Sequence, residues 1–441
     1  MTESKTPNHT LSAMRCPVHL ADVDLFSPGA QEHWYEAYEI LHREAPVLRL
    51  PREGVTPGSD GYILTKYADI ARVVRDPVRF PPTLSLAVDQ LKQSGIEPEQ
   101  APQVNAMIAS MMTLRPTIEL WRAHRQELTD PWVGPGASRH TAMITRCVDE
   151  LIDRWIDRGE VEFIGEFARP LPQLVMANVL GFPLDDIPRL AEWGTAQVKA
   201  FVYGRGHRNI LTKEETIAQF KLLDGFKEYV NDQVQQKRRQ PKDDMISFLT
   251  QVTYEALGRK LTDLEINGVV YAMIIGGLET TQYALEEQAQ LLCEQPGVFT
   301  QLKNDRDKVR AFIEEGMRLR APTQGLSTRL TSQDEVFQGV HVPAGSLLHL
   351  RWAAANIDAD EFECPHELQL ERKAASRHLT FSAGPRVCPG AGISRLEQTI
   401  AWTRLFERLD GIAYAPGNTF MHQPGIMLGT LELKLRFEKA R

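Results

Sequence analysis

The feature that most constrains the fold is the stretch 381–390, in which a single cysteine stands among residues that form turns. A Gly–Pro pair at 384–385 interrupts any regular element before Cys388. A helical pattern of apolar residues follows Pro389, a residue that is favoured where a helix begins. We therefore predict that Cys388 lies on a tight loop that leads into a helix N-terminus.

The surroundings of Cys388 bear on its ionisation. The partial positive charge at the N-terminus of a helix and the neighbouring Arg386 both favour a thiolate over a thiol. A thiolate on a rigid loop, beside glycines that allow close approach, suits a metal or a large flat cofactor. The alternative is a small buried cysteine that only packs, and the local sequence leaves both interpretations open.

As a whole, the stretch resembles the haem-binding loop of the cytochrome P450 family, with an aromatic residue, a glycine, a basic residue, the cysteine and a second glycine at fixed spacing. All five positions match, namely Phe381, Gly384, Arg386, Cys388 and Gly390. The resemblance implies that the cofactor is haem b (iron protoporphyrin IX). It also implies that Cys388 is the iron ligand and that the other four residues surround the cofactor.

Charge and cysteine content exclude some classes of protein. The chain of 441 residues has a formal net charge of −8, whereas a nucleic-acid-binding protein needs a basic surface. Its five cysteines form no CxxC pair, which indicates a reducing compartment. A polar N-terminus and the lack of any apolar run of about 18 residues predict no signal peptide and no membrane anchor. We expect a cytoplasmic, bacterial-type enzyme in which an N-terminal arm (1–30) precedes one domain (31–441).

A second motif precedes the loop by more than two hundred residues. Trp121 and Arg125 are four residues apart and share one helix face, which by itself fits packing beside a solvated charge equally well. Beside the cysteine loop they resemble the WxxxR helix of the family, which implies that both bind haem propionates. The planar fork of arginine suits a carboxylate. Arg329 and His378 resemble propionate-binding positions of soluble members, although either residue alone fits a surface charge.

A third motif interrupts a predicted helix over residues 262–293, which begins at a capping box. Two glycines in the interruption at 276–281 cost about 1 kcal/mol each relative to alanine, and a buried carboxylate costs more unless it has partners. Close helix packing would explain the glycines. The run also resembles the distal helix of the family, which implies that Gly277 makes room for the cofactor. On that resemblance Glu279 and Thr280 are the acid–alcohol pair that delivers protons during activation of O2.

A fourth motif consists of charges that are expected to be structural. Glu315 and Arg318 are able to pair at a spacing of three on a helix, although exposed pairs of this kind are common and weak. Together with Pro322 they resemble the ExxR segment of the family, and Arg372 fits the third member of its network. The resemblance implies that these three charges support the cysteine loop and take no part in the chemistry.

Residues 80–118 show little periodicity and contain several prolines. They are interpreted either as a loop packed on the core or as a lid over an apolar pocket, because long ordered loops are often functional. The resemblance favours the lid. The positions that it implies for substrate contacts are Met111, Met112, Phe201, Ile274, Leu326 and Met427.

The resemblance extends over residues 30–438 and implies a mainly α, triangular-prism fold with small β-sheets. It implies a monooxygenase that inserts one oxygen atom from O2 into a hydrophobic small molecule, such as a terpenoid, a steroid or a substituted aromatic. Electrons are expected from a separate 2Fe–2S ferredoxin and its NAD(P)H-dependent reductase, docked near Arg122 and Lys373. Two alternatives remain open: a peroxide-driven haem-thiolate peroxygenase or isomerase, and a non-catalytic haem sensor or carrier.

Overall fold

The computed structural model describes residues 15–27, 29–83, 95–97, 100, 110, 113–199, 211–325 and 328–440. Helices dominate this part of the chain. They are α1 (Trp34–Glu44), α2 (Tyr67–Arg75), α3 (Ile118–His124), α4 (Thr141–Asp153), α5 (Pro170–Leu180), α6 (Ile187–Val198), α7 (Lys213–Arg239), α8 (Met245–Gln251), α9 (Asp263–Gly277), α10 (Glu279–Glu294), α11 (Pro296–Asn304), α12 (Val309–Leu319), α13 (Trp352–Asn356) and α14 (Ala391–Arg408). The structure thus confirms the mainly α prediction.

The strands are short and form small sheets. They are β1 (Val47–Leu50), β2 (Gly61–Leu64), β3 (Glu160–Glu162), β4 (Thr253–Tyr254), β5 (Arg259–Lys260), β6 (Thr328–Leu330), β7 (Glu335–Phe337), β8 (Val340–Val342), β9 (Leu347–Leu350), β10 (Leu409–Tyr414) and β11 (Lys434–Lys439). One sheet has the order β1-β2-β9-β6, in which only the β2–β9 pair is parallel. A second has the order β10-β11-β3, and β4-β5 and β7-β8 form ribbons.

The predicted helix over 262–293 is present but divided. It begins at the expected capping box, where Thr262 Oγ1 accepts from the Glu265 N–H and Glu265 Oε2 accepts from the Thr262 N–H. Helix α9 ends at Gly277 and α10 begins at Glu279, with Leu278 between them at φ −92° and ψ −62°. The sequence located this break correctly from its glycines.

Helix α14, which follows the cysteine loop, is held in the core by close backbone contact. A Cβ atom on Gly392 would lie 2.2 Å from the Gly134 carbonyl oxygen, so only glycine fits there. The Ile393 N–H donates to the Val133 carbonyl at 2.9 Å. Helix α14 also packs against α4, α10 and α12. Within the residues that the structure describes, no helix combines the length and apolar character needed to cross a bilayer.

Candidate active site

The loop that carries Cys388 is held by its own backbone. A 3-10 turn spans Gly384–Arg386, and the Cys388 N–H donates to the Phe381 carbonyl at 2.9 Å. Helix α14 follows with Gly390 as its N-cap, so Pro389 precedes the helix and does not open it. The predicted loop is present, and Cys388 lies on the wall of a cavity.

The environment of the thiol differs from the expectation. Burial raises the pKa of Cys388, and the N–H of Gly390 and the charge of Arg125 oppose this without outweighing it. Arg386, which was expected to stabilise a thiolate, instead has its guanidinium carbon 4.2 Å from the centre of the Trp121 ring. The protein alone therefore favours the thiol, and binding of a metal cation would have to release the proton.

The two glycines that match the loop motif have different structural roles. Gly384 has a φ of +71°, and a Cβ atom there would lie 2.9 Å from Val74 O and Arg75 Cα of helix α2. Packing on α2 therefore requires glycine at position 384, which is not among the residues that line the cavity. A Cβ on Gly390 would meet only the Cys388 sulfur, at 3.9 Å, so this glycine does leave open space at the cavity.

The cavity has a volume of about 360 Å³ and lies between the cysteine loop and the α9–α10 break. Apolar side chains from α9 and from neighbouring elements form much of its wall. The predicted site residues that line it are Trp121, Arg125, Gly277, Thr280, Phe381, Cys388 and Gly390. The structure therefore brings together predicted site residues that are far apart in the chain.

Three arginines that form no ion pair among the described residues lie near one another, and one of them, Arg115, lines the cavity. Burial and the charge of Arg386 lower the pKa of both Arg115 and Arg329 to about 10, and burial lowers that of Arg386. None of the three forms an ion pair within the described residues. Like charges that are buried together are costly unless an anion joins them.

Unused hydrogen-bond donors lie in the same place. Trp121 Nε1, Arg329 Nε and Arg386 Nε are buried and have no hydrogen-bond partner in the part of the chain that the structure describes. The guanidinium carbon of Arg115 is 4.4 Å from the centre of the Trp121 ring, so these donors are close together. A group with two carboxylates at one edge and a metal within reach of a sulfur fits this arrangement, and haem b is such a group. Arg115 was missed by the sequence analysis because it lies in a segment without periodicity.

Replacing Arg115 by glutamine is expected to affect the protein without haem and the holoprotein in opposite directions. The haem-free protein should become more stable because one of three like charges is removed. The holoprotein should lose haem about 10 to 100 times faster, since a hydrogen bond to a charged group is worth about 1.5–3 kcal/mol. Thermal unfolding and haem transfer to apomyoglobin measure the two effects. Arg122→Gln, an exposed arginine on α3, is the control, and equal haem loss in the two variants would contradict the assignment.

Arg125 and His378 have partners other than those expected. Arg125 donates from Nε and Nη2 to Asp130 Oδ1, at 3.3 and 3.1 Å, and from Nη1 to the Val387 carbonyl at 2.9 Å. It therefore braces the cysteine loop from the cavity wall. His378 is buried and its Nε2 lies 3.1 Å from Glu314 Oε2. It does not line the cavity, so the structure does not support its predicted contact with a propionate.

The predicted charge network beneath the loop is present. Glu315 and Arg318 are both fully buried and form two hydrogen bonds, of 2.7 and 3.0 Å. Arg372 Nε donates to the same carboxylate at 3.0 Å. Arg318 also donates to the carbonyls of Asn356 and Pro365, at 3.0 and 2.6 Å, so it fastens the segment that leads to the cysteine loop.

A parallel network that the sequence analysis missed is centred on Glu314. Arg395 of α14 donates to its two oxygens at 2.6 and 2.9 Å, and His378 contacts it from the other side. Although burial acts in the opposite direction, these hydrogen bonds lower the pKa of Glu314 to about 2. Arg395 is also stacked over Phe381, 4.4 Å from its centre. Glu314 therefore links α12 to both ends of the cysteine loop.

On the opposite wall, Thr280 faces the cavity at the helix break. Its hydroxyl donates to the Gly276 carbonyl at 2.7 Å, a side-chain bond that opens the helix locally. A Cβ atom on Gly276 would meet nothing within 4 Å, whereas one on Gly277 would lie 2.9 Å from the Met176 side chain. The glycine that leaves space at the cavity is thus Gly276, while Gly277 mainly accommodates Met176.

Glu279 points elsewhere. It does not line the cavity, and its Oε2 accepts a hydrogen bond of 2.5 Å from the Tyr283 hydroxyl. Burial raises its pKa to about 7, opposed by the Tyr283 bond and by the charges of Arg169 and Lys199. The carboxyl therefore sits behind Thr280 with a proton affinity near neutrality, which suits exchange of a proton.

The structure describes few of the predicted substrate contacts. Met111, Met112, Phe201 and Leu326 lie outside the described residues. Ile274 is buried in the main core, because it is two residues from Gly276 and so about 200° around the helix from the cavity face. Met427 packs with Val198 and Tyr283 and does not line the cavity.

Two buried ionisable residues of the cavity wall were not predicted from the sequence. His124 has an unpartnered Nδ1, and burial lowers its pKa well below the usual value. Glu397 of α14 has an unpartnered Oε2, and burial raises its pKa well above the usual value. Burial therefore favours the neutral form of both side chains. The helical spacing of Glu397 among apolar residues of α14 was the only signal for it.

Comparisons with known proteins agree with this geometry. The family model described as Cytochrome P450 matches residues 207–437. The chain is 27% identical over 382 residues to Cytochrome P450 107B1 of Saccharopolyspora erythraea, covering 85% of this chain and 87% of that relative. It is 27% identical over 384 residues to the biotin biosynthesis cytochrome P450 of Bacillus subtilis, covering 86% and 90%.

Solved structures show the same fold. P450BioI in complex with an acyl carrier protein ligated to hexadec-9Z-enoic acid has a TM-score of 0.80 at 24% identity, covering 92% of this chain and 99% of that one. Epothilone D-bound cytochrome P450epoK has a TM-score of 0.80 at 22% identity, covering 95% and 99%. These likenesses confirm the fold class that the sequence predicted.

Proposed function

This chain belongs to the cytochrome P450 family, and on that premise we propose that it oxygenates a hydrophobic small molecule with electrons from separate proteins. It is a cytochrome P450 monooxygenase, and haem b is the cofactor of the family. The observation that carries the proposal is that Cys388 and Thr280 lie on the walls of one cavity. One wall thus offers a metal ligand and the other a hydroxyl group.

Different residues would hold the iron and the propionates of the haem. Cys388 would ligate the iron. Trp121, Arg329 and Arg386 would bind the propionates through nitrogen atoms that have no partner among the described residues, together with the neighbouring Arg115. When bound, the haem supplies the activation of O2, which a thiolate ligand favours.

Side chains of the protein deliver the proton. Thr280 holds its hydroxyl proton on the Gly276 carbonyl and presents the oxygen to the cavity. Glu279, on the far side of the helix, exchanges a proton near neutral pH. The apolar side chains of α9 at the cavity limit access of bulk water to the same place. We propose that Thr280 passes a proton to the cavity when its hydroxyl turns away from the Gly276 carbonyl, and that Glu279 resupplies this proton.

Thr280→Ala is expected to retain haem and to consume NAD(P)H, while its ratio of product to NAD(P)H falls at least about tenfold. Hydrogen peroxide should rise correspondingly, because no hydroxyl remains at the cavity wall to donate a proton. The assay measures NAD(P)H, peroxide and product together. Thr280→Ser keeps the hydroxyl and should stay coupled. Unchanged coupling in the alanine variant would argue against the assigned role.

The substrate is proposed to be a terpenoid, a steroid or a substituted aromatic, since the described wall opposite Cys388 is largely apolar. Relatives from Bacillus subtilis that are named for polyketide biosynthesis and for biotin biosynthesis illustrate how varied such molecules are within the family. Titration of the ferric Soret band with a panel of the three classes tests the proposal. A saturable band shift with at least one class is expected, and no shift with any hydrophobic compound would count against it.

The electron donors are proposed to be a 2Fe–2S ferredoxin and its reductase, which would dock near the exposed Arg122 and Lys373. We place the enzyme in the cytoplasm, where its free cysteines stay reduced, and treat residues 31–441 as one domain. Product formation with ferredoxin, reductase and NAD(P)H is the expected result. Product with peroxide alone would indicate a peroxygenase, and no product in either case would indicate a haem sensor.

A further inference from the structure

We propose that Tyr283 is a positioning residue for Glu279, and that Gln423 fixes the direction of its hydroxyl proton. The proposal rests on the assignment of Glu279 to proton delivery, which it extends to residues outside the distal motif. Tyr283 lies one helical turn after Glu279 on α10, and Gln423 lies on the segment that precedes β11.

The direction of the hydrogen bonds follows from the chemistry of the three groups. Tyr283 Oη donates to Glu279 Oε2 at 2.5 Å, and Gln423 Nε2 donates to Tyr283 Oη. An amide NH2 group only donates, and an ionised carboxylate only accepts. Tyrosine has one hydroxyl proton, which is therefore directed at Glu279. The arrangement binds the carboxylate form of Glu279 more strongly than the protonated form.

The Tyr283 ring has no freedom to leave this position. It is 3% exposed and packs with Val198, Ile426 and Met427. A Cβ atom on Gly429 would lie 2.4 Å from the ring, so the chain has glycine where the C-terminal segment passes over it. The Gln423 N–H donates to the Gly429 carbonyl at 2.9 Å, which closes that segment around the tyrosine.

Among the described residues, the other neighbours of Glu279 do not form hydrogen bonds with its carboxyl group, so the position of that group depends on Tyr283. Within the described part of the chain, Tyr283 is the one side chain that donates a hydrogen bond to Glu279. Arg169, next to the start of α5, and Lys199, next to the end of α6, act on it only through their charge. Tyr283 therefore determines both the side of the helix break on which the carboxyl lies and how tightly it holds a proton.

The test is an infrared titration of the ferric holoenzyme. The C=O band of a protonated carboxyl is followed from pH 5 to pH 9, and Glu279→Gln identifies the contribution of Glu279 as the band it removes. Tyr283→Phe is expected to raise the midpoint by about one pH unit, because the loss of a hydrogen bond to the charged form favours the protonated form. The band should also move to higher frequency.

Tyr229→Phe is the matched control. Tyr229 Oη donates to Asp186 Oδ2 at 2.8 Å on another part of the molecule, so this variant removes a similar tyrosine–carboxylate bond. It should leave the Glu279 band unchanged. A Glu279 midpoint and frequency that do not change in Tyr283→Phe, or the lack of any titrating band that Glu279→Gln removes, would overturn the proposal.

The same titration separates this proposal from the proposed function. If Glu279→Gln stays fully coupled in the peroxide assay while Tyr283→Phe moves the infrared midpoint, the positioning holds and the assignment of Glu279 to proton delivery fails. If both hold, the dependence of peroxide release on pH should shift upward in Tyr283→Phe together with the infrared midpoint. Such a joint shift is not expected from a packing defect.

Discussion

Cys388→Ser is expected to lose the thiolate-type Soret band of the reduced carbon monoxide complex completely. Its sulfur is at the wall of the cavity that Trp121 and Arg115 also line, and serine offers no thiolate. The fold should survive, because the loop is fixed by the backbone bond from residue 388 to Phe381 and by Gly384, neither of which needs the sulfur. The readouts are the carbon monoxide spectrum and far-UV circular dichroism of the purified variant.

The other cysteines make the assignment specific. Cys147 and Cys293 are held as thiols by burial, which raises their pKa values to about 11 and about 12, and neither lines the cavity. Cys364 is exposed, so Cys364→Ser is the control and should keep the wild-type spectrum. A folded Cys388→Ser protein with an unchanged spectrum would refute the assigned ligand.

Sequence reasoning succeeded where a motif encodes local backbone geometry or a fixed spacing. The cysteine loop and the division of α9 from α10 depend on glycines and prolines, whose conformational preferences are readable from the sequence. The Glu315–Arg318 pair follows from helical spacing. Even in these motifs, the sequence did not always show why a particular residue is required. Gly384 is required by its positive φ and by the backbone of α2, which is more than three hundred residues away in the chain.

The sequence did not predict the hydrogen-bond partners of side chains that have more than one possible partner. Glu314 and Glu315 are neighbours, yet one binds His378 and Arg395 while the other binds Arg318. Only the tertiary arrangement decides which face of α12 meets which partner, so His378 was placed at the cofactor. The cluster around Arg115 was missed for the same reason, since elements distant in the chain create it.

Glu315→Gln is expected to lower the free energy of unfolding by about 3–5 kcal/mol, because it leaves buried charge without its partner. Four donors converge on this carboxylate, from Arg318 at 2.7 and 3.0 Å, from Arg372 at 3.0 Å and from the Gln369 N–H at 2.9 Å. The glutamine NH2 group would face some of these donors. Two arginines whose side chains are 0% and 7% exposed would then lack an anion.

The destabilisation caused by Glu315→Gln should extend to the cysteine loop. Arg318 holds the Asn356 carbonyl, and the Asn356 side chain bonds the Leu379 N–H at 2.6 Å and the Thr380 hydroxyl at 2.9 Å, just before the loop. Urea unfolding at pH 7, followed by the Soret band and by circular dichroism, should therefore show both signals at a lower midpoint.

The matched control for Glu315→Gln is Glu44→Gln. Arg43 and Glu44 are also 2.7 Å apart, but their side chains are 61% and 37% exposed. The same chemical change there should cost less than about 1 kcal/mol, because water solvates the arginine that remains. The difference in the free energy of unfolding between the two variants measures how much burial adds to the contribution of an Arg–Glu ion pair. Equal midpoints would mean that the network beneath the cysteine loop contributes no more than a surface ion pair.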